Sequence, residues 1–232
     1  MKFKPILANV ILVFSIASIF GCSNGVKTPT DKAEVNSQPS TATTANNTTT
    51  NTNVDTKTDK IKFKTEGGSD LFALKQQADG AKLVDGNNKE LARIKLDKPG
   101  RIKFKDAADK VLGYVVTEKD SWKLENPDKK QTSYILRKQN NDAYQLEDSA
   151  KKIVYQIKRR NDGWEIINTN NQLVYRVKIK AEKKSLINGS QKTIFSTKSA
   201  LSPIAFTCLG FDVLTREEQM ALAYAVNLTG GK

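Results

Sequence analysis

Histidine is absent from the 232 residues, which removes the commonest general base, the Ser-His and Cys-His nucleophile pairs and most transition-metal sites. Cysteine occurs only as Cys22 and Cys208, too few for a zinc cage, and if the first is chemically modified the second has no partner for an intramolecular disulfide. Acidic residues are short as well: 25 against 38 basic ones leave a formal charge of +13. No Asp-x-Asp-x-Asp calcium loop, phosphate-cradling glycine loop or nucleophile elbow occurs. Catalysis would have to come from carboxylates, hydroxyls or Cys208. That cysteine lies between Phe206 and Leu209, where burial as a small hydrophobe is expected. The chain is therefore expected to be no enzyme and to use no cofactor or metal. A hydrolase built on two carboxylates distant in sequence is the minor alternative. A hydrophobic content of 38% supports one core of moderate size rather than two large domains.

What is present begins with Lys2 and Lys4, an apolar run from Ile6 to Phe20, and Gly21-Cys22. This is the three-part form of a secretory signal over residues 1–21. Ile19-Phe20-Gly21-Cys22 resembles the lipobox of bacterial lipoproteins: an aliphatic residue, a tolerated one, a small one, then the cysteine. The resemblance implies a diacylglyceryl group on Cys22, cleavage before it and acylation of the new amino terminus. Several acyl chains anchor stably, at roughly 0.8 kcal/mol per buried methylene. The alternative is an uncleaved membrane helix, but the run is short for the roughly 20 residues that a span needs. Ser23 in place of an aspartate resembles the outer-membrane sorting pattern, if the host is Gram-negative.

From Ser23 to Thr58, 20 of 36 positions are Ser, Thr or Asn, with no Leu, Ile or aromatic residue and with three lysines balancing three acids. Such a segment cannot build a core. Residues 22–58 are expected to form a lipidated start and a disordered tether with an r.m.s. reach of roughly 35 Å. It serves as a leash, or only as a solubilising linker.

Beyond residue 59 the pattern turns to period two. Leu173, Tyr175, Val177 and Ile179 alternate with Val174, Arg176, Lys178 and Lys180, and Ile153, Tyr155 and Ile157 do the same twenty residues upstream. Leu83-Val84-Asp85-Gly86-Asn87-Asn88 overlies Ile166-Ile167-Asn168-Thr169-Asn170-Asn171 without gaps, after which Arg93-Ile94-Lys95 falls on Arg176-Val177-Lys178. The unit is a strand, a polar turn and a returning strand. Residues 59–198 are expected to hold about ten to twelve antiparallel strands closed into a barrel, since four-strand propeller blades need about twice this spacing. Trp122, Trp164, Tyr134, Tyr144, Tyr155 and Tyr175 are expected in the packing of its wall.

Residues 199–232 read as a carboxy-terminal segment of the same domain holding one core helix, with capping-box spacing at Thr215 and Glu218, an unbroken apolar run from Met220 to Val226 and a stop at Gly230-Gly231. Apolar on every side, it must be surrounded. Phe211-Asp212-Val213-Leu214 and Ala221-Leu222-Ala223-Tyr224-Ala225-Val226, together with the repeated hairpins, resemble the tubby carboxy-terminal-like superfamily of tubby proteins, phospholipid scramblases and LURP-one-related proteins. That resemblance covers about residues 60 to 230 and implies a mostly β fold, a closed antiparallel barrel around a central hydrophobic helix. Neither a scramblase-like acidic calcium segment nor a tubby-like phosphoinositide pocket is found, so no family activity is carried over. A lipocalin-like carrier, with an open lumen for an apolar ligand and the helix outside, is the alternative architecture.

Residues 59 to 211 hold a charge of +12. Lys158, Arg159, Arg160, Arg176, Lys178, Lys180, Lys183 and Lys184 fall on neighbouring hairpins and form the candidate anionic-surface site, facing lipid headgroups or acidic envelope polymers. They are otherwise a solvated sheet face guarding strand edges. Nucleic acid is excluded as a partner by export. The expected function is a lipid-anchored, non-catalytic binding or envelope-interaction module.

Overall fold

The computed structural model describes residues 60–140 and 142–230. The signal, Cys22 and the tether lie outside the described residues. Fourteen strands follow one another: β1 Lys60–Lys64, β2 Asp70–Gln77, β3 Gly80–Asp85, β4 Glu90–Lys98, β5 Arg101–Asp106, β6 Val111–Glu118 and β7 Ser121–Glu125. The second half continues with β8 Thr132–Lys138, β9 Tyr144–Asp148, β10 Ile153–Arg160, β11 Gly163–Asn168, β12 Leu173–Lys180, β13 Lys183–Asn188 and β14 Thr193–Thr197. Each pairs antiparallel with its sequence neighbours, and β1 pairs with β14, so the sheet closes. The count exceeds the expected ten to twelve because β7, β9 and β14 have only five residues each, too few for period two to register.

One turn recurs around one rim. Asp85 donates its N–H to the Lys89 carbonyl at 2.9 Å, and Asn88 donates back to the Asp85 carbonyl at 3.1 Å. The Asp85 carboxylate accepts from the N–H groups of Asn87 and Lys89. Asn88, at φ 68°, carries the left-handed step that turns a type I turn into a bulged hairpin. The same backbone pair closes the turns that open at Asp106, Asp148, Asn168 and Asn188, with Asp109, Lys151, Asn171 and Gln191 at positive φ. An Asp or Asn is needed at the opening position because its short side chain reaches the amide four residues on, as at Lys110, Lys152, Gln172 and Lys192. A local rule stated once per hairpin thus builds the wall.

Fourteen strands make a barrel wider than its own inward side chains can fill. The remainder of the chain enters it. Ser202 caps α1 (Pro203–Thr207), with Pro203 in the first turn; a 3-10 turn follows at Cys208–Gly210, and α2 spans Arg216–Thr229. α2 packs against β4 to β7 and α1 against β11 to β13. All residues from Gln219 to Val226 are buried. Those from Met220 to Val226 share one core with Phe63, Phe104, Leu124, Leu146, Ile157, Ile166 and Phe195 of the wall. The expected capping box is formed, Thr215 N–H donating to Glu218 Oε2 at 2.9 Å and Glu218 N–H to Thr215 Oγ1 at 3.3 Å. Trp122 ties the far end, its indole N–H donating to Thr229 Oγ1 at 2.8 Å.

Two expectations are corrected by this arrangement. The lipocalin-like architecture is not what the chain adopts: the lumen is occupied by α1 and α2, because a barrel of this girth without a ligand would leave its apolar lining unfilled. The carboxy-terminal segment also holds two helices rather than one, since Ser202-Pro203 starts a separate short helix before the long one.

Candidate anionic-surface interface

Period two decides where each cation points. On β10, Tyr155 and Ile157 are buried and Lys158 lies opposite in phase; on β12, Val177 is buried and Lys178 and Lys180 are exposed. Lys158, Arg160, Arg176, Lys178, Lys180 and Lys183 therefore share the outer wall across β10 to β13. Arg159 and Lys184 do not. Arg159 is in phase with the core and pairs across the ladder with Trp164. It emerges at the rim, forming an ion pair with Asp142 at 2.9 Å. Lys184 is likewise in inward phase, pairs across with Thr197 and places its amine 3.4 Å from the Ser199 carbonyl. Burial pushes its pKa down, against a smaller upward pull from Glu182.

The outer group is partly neutralised. Glu165, on β11 between the two basic strands, holds Arg160 at 2.8 Å and Arg176 at 2.7 Å. Burial alone raises its pKa, but the hydrogen bonds and charges of Arg176 and Arg160 outweigh that and leave it lowered. Lys158, Lys178, Lys180 and Lys183 have no ion-pair partner among the described residues. Lys180 and Lys183 face each other across the end of their hairpin, where like charges repel until an anion joins them.

The closure of the barrel adds a second cationic group. After Thr197 the chain leaves the wall to carry α1 inside, so β14 meets β1 only at Ser196 and Lys64. The remaining edge of β1 is left beside a groove of about 460 Å³. There the Lys62 N–H, instead of pairing with a strand, donates to Ser199 Oγ at 3.4 Å. Ile61 and Phe63 point into the core, which turns Lys60, Lys62 and Lys64 outward. With Lys183 and Lys198 they line the groove, against a single acidic lining residue, Glu66. Asp70 reaches Lys62 at 3.0 Å and Lys64 at 3.4 Å, and its pKa is lowered chiefly by the Lys62 hydrogen bond. Lys183 joins this groove to the outer wall of β12 and β13, giving one basic belt. The sequence carries a signal for half of it, the alternation Lys60-Ile61-Lys62-Phe63-Lys64. Nothing local places that strand beside Lys183 and Lys198.

The aromatic residues singled out in the sequence pack against the barrel core, and Cys208 is buried in it. Trp122, Tyr144 and Trp164 lie in series inside the wall, the first pair tilted and the second edge-on, with ring centroids 6.4 Å and 5.7 Å apart, and Tyr155 stacks on Phe211 at 5.8 Å. Tyr134 and Tyr175 are half-buried against the same core. Cys208 is buried as a free thiol, its Sγ 3.6 Å from the Ile204 carbonyl, and burial raises its pKa. It is held in the neutral form that is a poor nucleophile.

No family model and no curated protein matches the chain. A solved structure of an Arabidopsis thaliana protein is similar to it at 16% sequence identity, over 65% of this chain and 86% of that one, with a TM-score of 0.32.

Proposed function

We propose that the chain is a bacterial lipoprotein, anchored through acyl chains on Cys22, whose basic barrel is a non-catalytic binding module for anionic groups of the cell envelope. Those groups are lipid headgroups of the membrane that holds the anchor or acidic polymers beside it. A tubby-like barrel around its own helix is part of this reading. The observation that carries it is the basic belt: five lysines around an open groove lined by one acid, two of them also paired with Asp70, continuous with lysines on β12 and β13 that have no ion-pair partner among the described residues. A tether confines that belt to within tens of ångströms of the surface, where each cation contributes roughly 1 kcal/mol of attraction to anionic headgroups.

The test uses the chain from Ser23 onward, so that acyl anchoring does not mask the charge term. It is expected to bind vesicles containing phosphatidylglycerol and not neutral ones, with affinity falling steeply as salt rises. Replacing Lys60, Lys62, Lys64, Lys183 and Lys198 by glutamine is expected to weaken binding by at least about 100-fold, given the attraction expected per cation. Replacing Lys158, Lys178 and Lys180 is expected to cost less. Vesicle binding that is indifferent to both sets and to salt removes the belt from consideration.

Anchoring is tested separately. Cys22→Ala is expected to release the protein from the membrane fraction or to leave the uncleaved precursor, read as a mobility shift and the loss of fatty-acid label. A fully anchored, processed Cys22→Ala chain would rule out lipidation.

A further inference from the structure

At the rim where α1 begins, Tyr144 opens β9 and Trp164 follows Gly163 at the start of β11. They are only 3% and 8% exposed. Both nevertheless line a cavity of about 270 Å³, together with Arg159, Arg160, Asn161, Asp162, Ile179 and Pro203. A buried indole N–H or phenol O–H ordinarily finds a protein partner, as Trp122 does in Thr229. The Trp164 indole N–H and the Tyr144 hydroxyl have none among the described residues, yet neither is sealed inside the protein. In side chains so deeply buried, those polar tips are what the cavity exposes. Burial, with a smaller push from the Asp142 charge, raises the Tyr144 pKa, so its hydroxyl keeps its proton and can donate.

The lining is balanced in charge. Two cations, Arg159 and Arg160, stand against two acids, Asp142 and Asp162. Arg159 is held by Asp142 at 2.9 Å, and Arg160 by Glu165 at 2.8 Å. An ionic ligand therefore finds no unmatched counter-charge here, in contrast to the lysine groove at the seam. Half-buried Ile179 and Pro203 add apolar surface, and exposed Asn161 and Asp162 add polar groups at the mouth.

We propose that this cavity binds one neutral sugar ring, of the N-acetylated hexosamine class. Ring hydroxyls accept from Tyr144 and Trp164 and donate to Asp162, while Ile179 and Pro203 meet the C–H groups and the acetyl methyl. A few convergent polar groups on an otherwise apolar lining are the general form of a small-molecule site. The size suits one ring rather than an acyl chain.

The test exploits the presence of only two tryptophans. In NMR spectra, N-acetylglucosamine at tens of millimolar is expected to shift the Trp164 indole N–H saturably and to leave that of Trp122, tied to Thr229, in place. Glucose, without the acetyl methyl, and glucuronate, with a charge, are expected to bind more weakly, and added salt is expected to change little. The β-1,4 disaccharide of N-acetylglucosamine separates the sources: binding equal to or tighter than the monosaccharide's identifies a glycan, and rejection identifies the free sugar. By calorimetry, Tyr144→Phe and Trp164→Phe are each expected to lose about tenfold in affinity, the worth of one hydrogen bond. The Tyr144→Phe urea midpoint is expected to be unchanged, because no hydrogen bond within the protein is lost. An unmoved Trp164 signal, a preference for glucuronate, or undiminished affinity in both folded variants would each overturn the proposal.

Discussion

Leu222→Asp is expected to abolish cooperative folding. Leu222 is fully buried in the middle of α2, where Ala221, Ala223, Ala225 and Val226 are fully buried as well. No face of the helix is available to turn the carboxylate to water, because wall strands and α1 surround it. An unpaired carboxylate in such surroundings costs several kcal/mol even after it takes up a proton. The native state of a domain this size lies only about 5–15 kcal/mol below the unfolded one. The loss is larger than a cavity of the same volume would cause, since Leu→Ala costs about 2–5 kcal/mol. Far-UV circular dichroism and urea unfolding read the result. Leu228→Asp is the control: that residue, near the end of the same helix, is 51% exposed, and its unfolding midpoint is expected to move little. A Leu222→Asp chain with the wild-type midpoint would mean that α2 is not enclosed.

What can be read in the sequence is what is decided within a few residues. The turn at Asp85 and its counterpart at Asn168 need an Asx side chain, a left-handed residue three positions on and flanking alternation, all of it contiguous. The capping box at Thr215 and the apolar run after it are equally local. Ser202-Pro203 is a legible start signal for α1 that the stronger signal of α2 overshadows. Closure is legible in kind but not in detail, because β1 and β14 are more than a hundred residues apart and meet at a single residue pair. The groove is a by-product of that weak seam. The basic set is only partly legible for a similar reason: clustering in sequence ignores phase, and Arg159 lies in phase with Tyr155 and Ile157 rather than with Lys158. Period two, applied residue by residue, removes Arg159 from the outer wall. The packing around Arg216 leaves no trace in the sequence, since Phe72 and Phe195 reach its guanidinium from two strands far apart in the chain.

The repeat also makes two glycines irreplaceable, and Gly163→Ala is expected to destabilise the barrel by at least about 2 kcal/mol. Gly163 begins β11 at φ 149°, a conformation that L side chains rarely adopt. A Cβ there would stand 1.9 Å from the Val177 carbonyl oxygen and 3.0 Å from its carbon. Both atoms are backbone of β12, held by the ladder in which Gly163 faces Lys178 and Trp164 faces Val177. Relief therefore requires the two strands to part at the rim. Gly80 repeats the geometry at φ 154°, with a Cβ 1.9 Å from the Ile94 carbonyl oxygen. Gly80→Ala is expected to cost as much, and the double variant is expected to cost close to the sum, because the two positions lie on different hairpins. Gly68, at φ 86° and with nothing within 4 Å of where a Cβ would stand, separates backbone strain from the clash. Gly68→Ala carries only the strain, about 1 kcal/mol. Urea unfolding of the three single variants ranks them. A Gly163→Ala midpoint no lower than that of Gly68→Ala would mean that the strands do not approach as closely as the ladder places them.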